Sequence, residues 1–269
     1  MIKRVCAVFF SPMGSTKELA LRLSEALSRH FSASFETIDV TLPEAREQSC
    51  TFGPDDLVIC ASPTNAGKLP NKILPFWREH LRGGGARAVA LASFGNRAFE
   101  NSLAEMADCL LNSGFALCGG GAFVCRHVFS DTIAAGRPNE ADLAELDAFA
   151  EALIARIEAG SGDAPAIPGD AGAPYYTPLG IDGEPKVFLK AKPKTSDDCI
   201  HCGICPAVCP MGAISFDDET EVPGTCIKCQ ACVRQCPIGA KYFDDEAFLS
   251  HVALLERDYQ RPAENLWVV

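Results

Sequence analysis

Residues 199–210 read CIHCGICPAVCP and residues 226–237 read CIKCQACVRQCP, one figure written twice at an interval of 27 residues. Each is C-x2-C-x2-C-x3-C-P, the spacing that holds a cubane iron–sulfur cluster. Gaps this short let three thiolates converge on one cluster, and in tandem runs the fourth cysteine ligates the other one. The spacing therefore groups Cys199, Cys202 and Cys205 with Cys236, and Cys226, Cys229 and Cys232 with Cys209. A structural zinc site would use two separated C-x2-C pairs and has no use for a third tightly spaced thiol. Adjacent C-x2-C units also make poor disulfide staples in a chain of this size.

The repeat runs past the cysteines. Pro210-Met211-Gly212-Ala213-Ile214-Ser215-Phe216-Asp217 aligns with Pro237-Ile238-Gly239-Ala240-Lys241-Tyr242-Phe243-Asp244. Each half reads as a ligand loop, one helical turn and a short strand. Neither half is long enough to bury a core alone, so bound metal is expected to supply much of the folding energy. Ile200, Ile204, Val208, Ile227 and Val233 are expected to wall the clusters from water. This stretch resembles a bacterial-type ferredoxin carrying two [4Fe–4S] clusters, which implies a small α+β domain over residues 190–245.

The first 159 residues follow a different period. Lys3–Phe10 is a short apolar, β-rich run suited to a strand buried on both faces. Ser15–His30 then carries Leu19, Ala20, Leu23, Ala26 and Leu27 at helical spacing. Further strands are expected at 35–40, 56–61, 87–94 and 122–125, and helices at 70–81 and 99–112. Asn139 is placed to cap a last helix with an apolar face from Leu143 to Ile157. Strands alternating with helices give a doubly wound parallel sheet of five strands, and its ligand edge lies beyond the strands' carboxyl ends.

Three loops fall on that edge. Ser11-Pro12-Met13-Gly14-Ser15-Thr16-Lys17 is rich in hydroxyls and runs into a helix N-terminus, a place built to hold phosphate. It is neither a Walker A nor a G-x-G-x-x-G loop, but it resembles the S/T-x-T-G-x-T loop of flavodoxins, with Met13 at the central threonine. Pro63, Ala66, Gly67, Lys68 and Pro70 fit the P-x-Y-x-G-R-x-P loop of flavodoxin–ferredoxin fusion proteins from anaerobic prokaryotes, with Asn65 at the aromatic position. Gly95-Asn96-Arg97 matches that group's G-N-R. The resemblance implies FMN held by Ser11, Met13, Gly14, Ser15 and Thr16 at the first loop. It adds Pro63, Thr64, Asn65, Ala66 and Gly67 at the second, and Ser93, Phe94, Gly95, Asn96 and Phe99 at the third. His127 reads as a histidine satisfied in the last strand's exit loop, and Arg137 as a structural anchor.

Glycines and prolines crowd residues 160–189, which read as a linker, although Pro174-Tyr175-Tyr176-Thr177-Pro178 has the character of a packed segment. A short helix over 246–259 and an apolar tail, Leu266–Val269, complete residues 246–269. That tail is expected to dock on either domain or on a second copy in a homodimer.

A net charge of −11 disfavours nucleic acid and suits basic patches on a redox partner. No apolar run spans a bilayer, so the expected setting is the cytoplasm, in an anaerobic host. Six of fourteen cysteines (Cys6, Cys50, Cys60, Cys109, Cys118 and Cys125) lie outside the repeat and read as mostly buried free thiols. No side chain stands out as acid, base or nucleophile. The expectation is an electron-transfer iron–sulfur flavoprotein relaying between two clusters and FMN, with a redox protein as partner. The alternative is a ferredoxin-linked FMN reductase of a small organic acceptor.

Overall fold

The computed structural model describes residues 1–160 and 162–269; Ser161, within the expected linker, lies outside the described residues. The α/β unit opens with β1 (Arg4–Phe9), α1 (Ser15–Phe31), β2 (Ser34–Asp39) and β3 (Asp56–Pro63). It continues through α2 (Leu74–Glu79), β4 (Arg87–Phe94), α3 (Ser102–Asn112), β5 (Ala116–Val124) and α4 (Glu140–Glu158). The five strands are parallel in the order 2-1-3-4-5, which is the flavodoxin-like order, with its topological switch beside β1.

Alternate residues of each strand feed two cores. Val5, Ala7 and Phe9 join Leu19, Leu23 and Leu27 of α1 and Phe149 and Leu153 of α4. Cys6 and Val8 join Phe76 and Trp77 of α2 and Leu103, Met106 and Leu110 of α3. A sheet covered on both faces explains why its strands read as continuous apolar runs. Asn139 caps α4 as the sequence implies, its side chain accepting from the N–H groups of Ala141 and Asp142, while the Asp142 carboxylate accepts from the backbone N–H of Asn139.

The second helix is shorter than its expected span of 70–81. Pro75 has no N–H to offer residue 71 and crowds that carbonyl, so regular helix begins only at Leu74 with Pro75 in its first turn. Residues 71–73 form turns instead.

After α4 the chain crosses the top of the α/β unit and enters the cysteine repeat, with α5 (Ile204–Ala207) and α6 (Ala231–Arg234) as its helical turns. The repeat is visible in the backbone. His201 and Lys228 share positive φ (51° and 56°), as do Gly203 and Gln230 (72° and 66°) and Gly212 and Gly239 (55° and 68°). Helix α7 (Glu246–Asp258) is capped by Asp245, which accepts from Phe248 N at 2.8 Å.

The expected five-stranded sheet gains a sixth member. The apolar tail forms β6 (Leu266–Val268), antiparallel on β5 with Trp267 opposite Gly121. Three consecutive glycines in β5 allow this. A Cβ on Gly119 would stand 3.1 Å from the Val268 carbonyl oxygen of the tail as well as 2.5 Å from Leu153 Cδ2, and one on Gly121 would stand 3.1 Å from Phe149 Cε1, the ring that Trp267 packs on. Trp267 then covers Phe149, with ring centroids 5.7 Å apart. Among the described residues no helix is long and apolar enough to cross a membrane.

Candidate functional site

The carboxyl ends of β1, β3, β4 and β5 open into a cavity of about 230 Å³. Helix α1 begins at this edge, and the N–H groups of Ser15 and Thr16 in its first turn have no intrahelical acceptor. Met13, Ser15 and Thr16 line the cavity. Ser11 and Gly14 do not: the Ser11 hydroxyl accepts from Lys17 N at 2.9 Å and its carbonyl accepts from Gly14 N, so both shape the loop. Thr16 Oγ1 lies 2.7 Å from Ser93 Oγ, tying the first loop to the third.

The second loop is a two-residue hairpin. Asn65 and Lys68 exchange backbone hydrogen bonds at 2.8 and 3.1 Å, with Ala66 and Gly67 both at positive φ (47° and 76°), the pattern of a type I′ turn. Pro63, Thr64, Asn65, Ala66 and Gly67 all line the cavity, as do Ser93, Phe94 and Gly95 opposite them. Phe99 stands behind, edge-on to Phe94 with centroids 5.5 Å apart.

Asn96 departs from its expected place at the ligand's polar edge. Its amide donates to the carbonyls of Tyr259 (2.6 Å) and Arg261 (3.0 Å) and accepts from Ala263 N (2.9 Å), so it anchors the C-terminal segment. Its backbone lies in the left-handed region, with φ at 67°. Arg137 is likewise structural, pairing with Asp142 and donating to Ala263 O at 2.6 Å.

Other walls come from residues that the three loops do not contain. Tyr176, Pro178 and Phe188 of the connecting segment line the cavity, with His251 and Leu255 of α7. The connecting segment is fixed to the α/β unit: Tyr176 N donates to Ala66 O, Tyr175 Oη to Leu69 O, and Lys68 Nζ to Ala171 O and Ala173 O, each at 2.8 Å. Lys68 is buried against Glu105 at 3.1 Å. The Pro174–Pro178 run, with two tyrosines among prolines, was the sequence signal for this docking; His251 and Leu255 gave none, being ordinary positions on an amphipathic helix.

Two histidines face the same space in opposite hydrogen-bonding states. His127 Nδ1 accepts from Phe129 N at 3.2 Å, so the neutral ring carries its proton on Nε2. His251 Nδ1 donates to Leu179 O at 2.8 Å, which leaves its Nε2 bare. Burial, with the charges of His251 and Arg97 added, pushes the His127 pKa down to about 4. Burial also lowers that of His251, against the pull of the Leu179 carbonyl and with help from Arg97. Arg97 itself lies over the Tyr176 ring at 3.9 Å and pairs with Glu100.

The cysteines gather in the crossed sets that the spacing implies. One small cavity is lined by Cys199, Cys202, Cys205 and Cys236, and a second by Cys209, Cys226, Cys229 and Cys232. Among the described residues no three His, Cys, Asp or Glu side chains converge as on a single ion; the thiols instead ring two cavities, the wider arrangement that a cubane requires. Backbone N–H groups point at sulfur in register with the repeat: Ala213 N to Cys209 Sγ and Ala240 N to Cys236 Sγ, both at 3.2 Å. Such bonds favour electron-rich sulfur. Lys241 lines the first cavity and Lys228 the second, both buried. The donor sets fit four-iron clusters, and the open N–H groups and apolar slot of the large cavity fit a flavin phosphate and ring.

The decisive relation is between cavities. Ile227, Lys228 and Cys229 line both the large cavity and the Cys209/226/229/232 cavity. One strip of backbone separates them. Contacts across the domain boundary keep the strip in place: Arg46 Nη2 donates to Pro210 O at 2.6 Å, and Arg234 pairs with Asp131 and donates to Val128 O at 3.3 Å. Of the six cysteines outside the repeat, all but the half-buried Cys50 are buried, and burial pushes the thiol of Cys6 up to about 12 and that of Cys109 to about 11, leaving them inert.

Comparison with known proteins agrees in part. Residues 198–240 match the model of the 4Fe-4S dicluster domain. Among solved structures, the flavodoxin of Streptococcus pneumonia TIGR4 is 21% identical, covering 57% of this chain and 99% of its own with a TM-score of 0.40. A flavodoxin from the domain Archaea is 15% identical, covering 58% and 99% with a TM-score of 0.41. An apo NADH:FMN oxidoreductase, EmoB, is 16% identical, covering 60% and 91% with a TM-score of 0.40. The α/β fold is read from the strand order, to which these scores add nothing. No curated protein matches the chain. A 4Fe-4S dicluster unit thus sits on an α/β unit of flavodoxin strand order, the arrangement of a flavodoxin–ferredoxin fusion.

Proposed function

We propose that this chain is an electron-transfer iron–sulfur flavoprotein that relays electrons between two [4Fe–4S] clusters and FMN. The observation that carries the reading is the shared wall, Ile227–Cys229, between the flavin cavity and one cysteine-lined cavity. The clusters would supply one-electron steps and the flavin one- or two-electron chemistry.

The protein's part is positioning and electrostatics. Ser15 and Thr16 offer N–H groups and the α1 dipole to a phosphate. Pro63–Gly67 and Phe94–Gly95 form the two sides of a slot for a flat ring. Cys199, Cys202, Cys205 and Cys236 would hold the outer cluster, and Cys209, Cys226, Cys229 and Cys232 the inner one. Lys228, with Nζ bound to Leu189 O at 2.7 Å, places a buried cation beside both cavities, where it favours added negative charge. Tyr176, Phe188 and Leu255 keep water from the slot. The test is anaerobic stopped-flow mixing of the reconstituted chain with a one-electron reductant: cluster bleaching should precede flavin reduction, and clusters that reduce without the flavin following would sink the relay.

One observation favours the second reading, reduction of a small organic acceptor at the flavin. His127 presents a donor and His251 an acceptor toward the cavity, a pair able to orient and protonate a polar substrate. Steady turnover of a specific acceptor, lost in His127→Ala but with flavin retained, would select that reading.

A further inference from the structure

The two-fold repeat gives the dicluster unit two equivalent faces, and the chain uses only one of them. Met211, Ile227 and Cys229 form the inner face. Met211 and Ile227 pack on the α/β core, Cys229 lines the flavin cavity, and nearby Phe243 packs on Phe248 with centroids 4.9 Å apart. Adding or subtracting 27 carries these residues to Ile238, Ile200, Cys202 and Phe216. Among the described residues nothing covers them: Ile200 is 61% exposed, Phe216 72% and Ile238 45%, and Cys202 is the one exposed thiol among the eight. Ile200, Ile238 and Cys202 line the outer cysteine cavity together.

We infer that this outer face is the docking site of an external one-electron redox protein, seated over the outer cluster as the α/β unit is seated over the inner one. The inference rests on the cluster assignment proposed above. Charge defines the partner. Asp197, Asp198, Asp217 and Glu221 are exposed on the loops that flank the outer cysteines. Most cations of residues 190–245 are engaged: Lys228 and Lys241 are buried, Arg234 is paired with Asp131, Lys194 is paired with Asp244 and Lys192 donates to Val222 O at 2.6 Å, with Lys190 left exposed. The fitting partner therefore carries an apolar contact patch within a basic rim. Each encounter moves one electron between its centre and the outer cluster; no bond forms or breaks and no proton is needed.

The test uses the full holo-chain, reduced by dithionite, and horse cytochrome c as a basic one-electron probe, with iron content and flavin reduction followed separately. Rapid cytochrome reduction should slow steeply with added salt. Asp197→Lys with Asp198→Lys should slow it by about tenfold or more at low ionic strength, and Phe216→Lys, on the same face but outside the lining of the cysteine cavity, should slow it at every salt concentration, both with full iron content and unchanged cluster-to-flavin transfer. Glu151→Lys on α4, far in sequence and outside the repeat, should leave the rate unchanged. Equal rates for the wild type and the outer-face variants would overturn the inference. So would a concentration-dependent dimer broken by Phe216→Lys, since a second copy would then own the face. Loss of iron-to-flavin transfer with docking intact would instead overturn only the relay.

Discussion

The rings of Phe129 and Phe248 meet edge to face with centroids 4.9 Å apart, joining the loop after β5 to helix α7. Phe248 also touches Phe188 of the connecting segment (5.5 Å) and Phe243 of the dicluster unit (4.9 Å). One buried ring thus knits four separate stretches around the cavity. Phe248→Ala removes all these contacts and leaves a void, with an expected cost of about 3–5 kcal/mol. Thermal unfolding followed separately by flavin and cluster absorbance should show the two signals, coincident in the wild type, moving apart as the halves uncouple.

Much of this arrangement was legible in the sequence because it rests on short-range rules. The cysteine spacing specified two crossed ligand sets, and strands read from apolar runs were long enough to give the sheet. What was not legible came from long-range pairing. The Asn96 amide binds Tyr259 and Arg261, more than 160 residues away, and nothing local distinguishes that role from a ligand contact. The tail's place as a sixth strand depends on the Gly119–Gly121 run facing it, a match that no single segment reveals.

Asn96 supplies a direct test of that anchor. It is 3% exposed and makes three hydrogen bonds to residues 259–263. Asn96→Ala leaves two carbonyls and an N–H unsatisfied, at a cost of about 2–4 kcal/mol. Limited proteolysis should then cut between residues 259 and 265 in the variant while the wild type stays intact; equal protection would contradict the anchoring role.

His127 makes stability depend on pH. In the folded chain its pKa lies at about 4, pushed down from 6.5 by burial first and then by His251 and Arg97. Between those values the unfolded chain holds a proton that the folded chain does not, so stability rises with pH across that window and is lost as pH falls toward 4. The loss amounts to as much as about 3 kcal/mol. Between pH 7 and pH 4.5 the urea midpoint should fall more in the wild type than in His127→Gln, and parallel changes would exclude His127 as the source.

The crossed cysteine sets predict unequal consequences for equivalent substitutions. Cys202→Ser and Cys229→Ser stand at matching positions of the repeat, and each should lower iron content by about half, because one site of two loses a ligand. Only Cys229 lies on the wall of the flavin cavity. Reduction of bound flavin after dithionite mixing should persist in Cys202→Ser and fail in Cys229→Ser. The opposite assignment would place the outer cluster next to the flavin.

Gly95 sets how closely the third loop approaches the exit of β5. A Cβ there would stand 2.6 Å from His127 Cδ2 and 3.0 Å from His127 Cα. The ring can turn aside, but the Cα cannot, so Gly95→Ala must push the 93–97 loop toward the slot between Phe94 and Pro63. Overpacking of this kind costs about 1–3 kcal/mol, and because the loop yields into the cavity, the cost falls on flavin binding rather than on the sheet. The expected result is a rise in the flavin dissociation constant of about tenfold or more, read by fluorescence quenching with melting temperature little changed. Gly53→Ala is the matched control, since a Cβ there meets nothing within 4 Å. Were both variants to bind flavin as the wild type does, the slot between the second and third loops would not be where the ring sits.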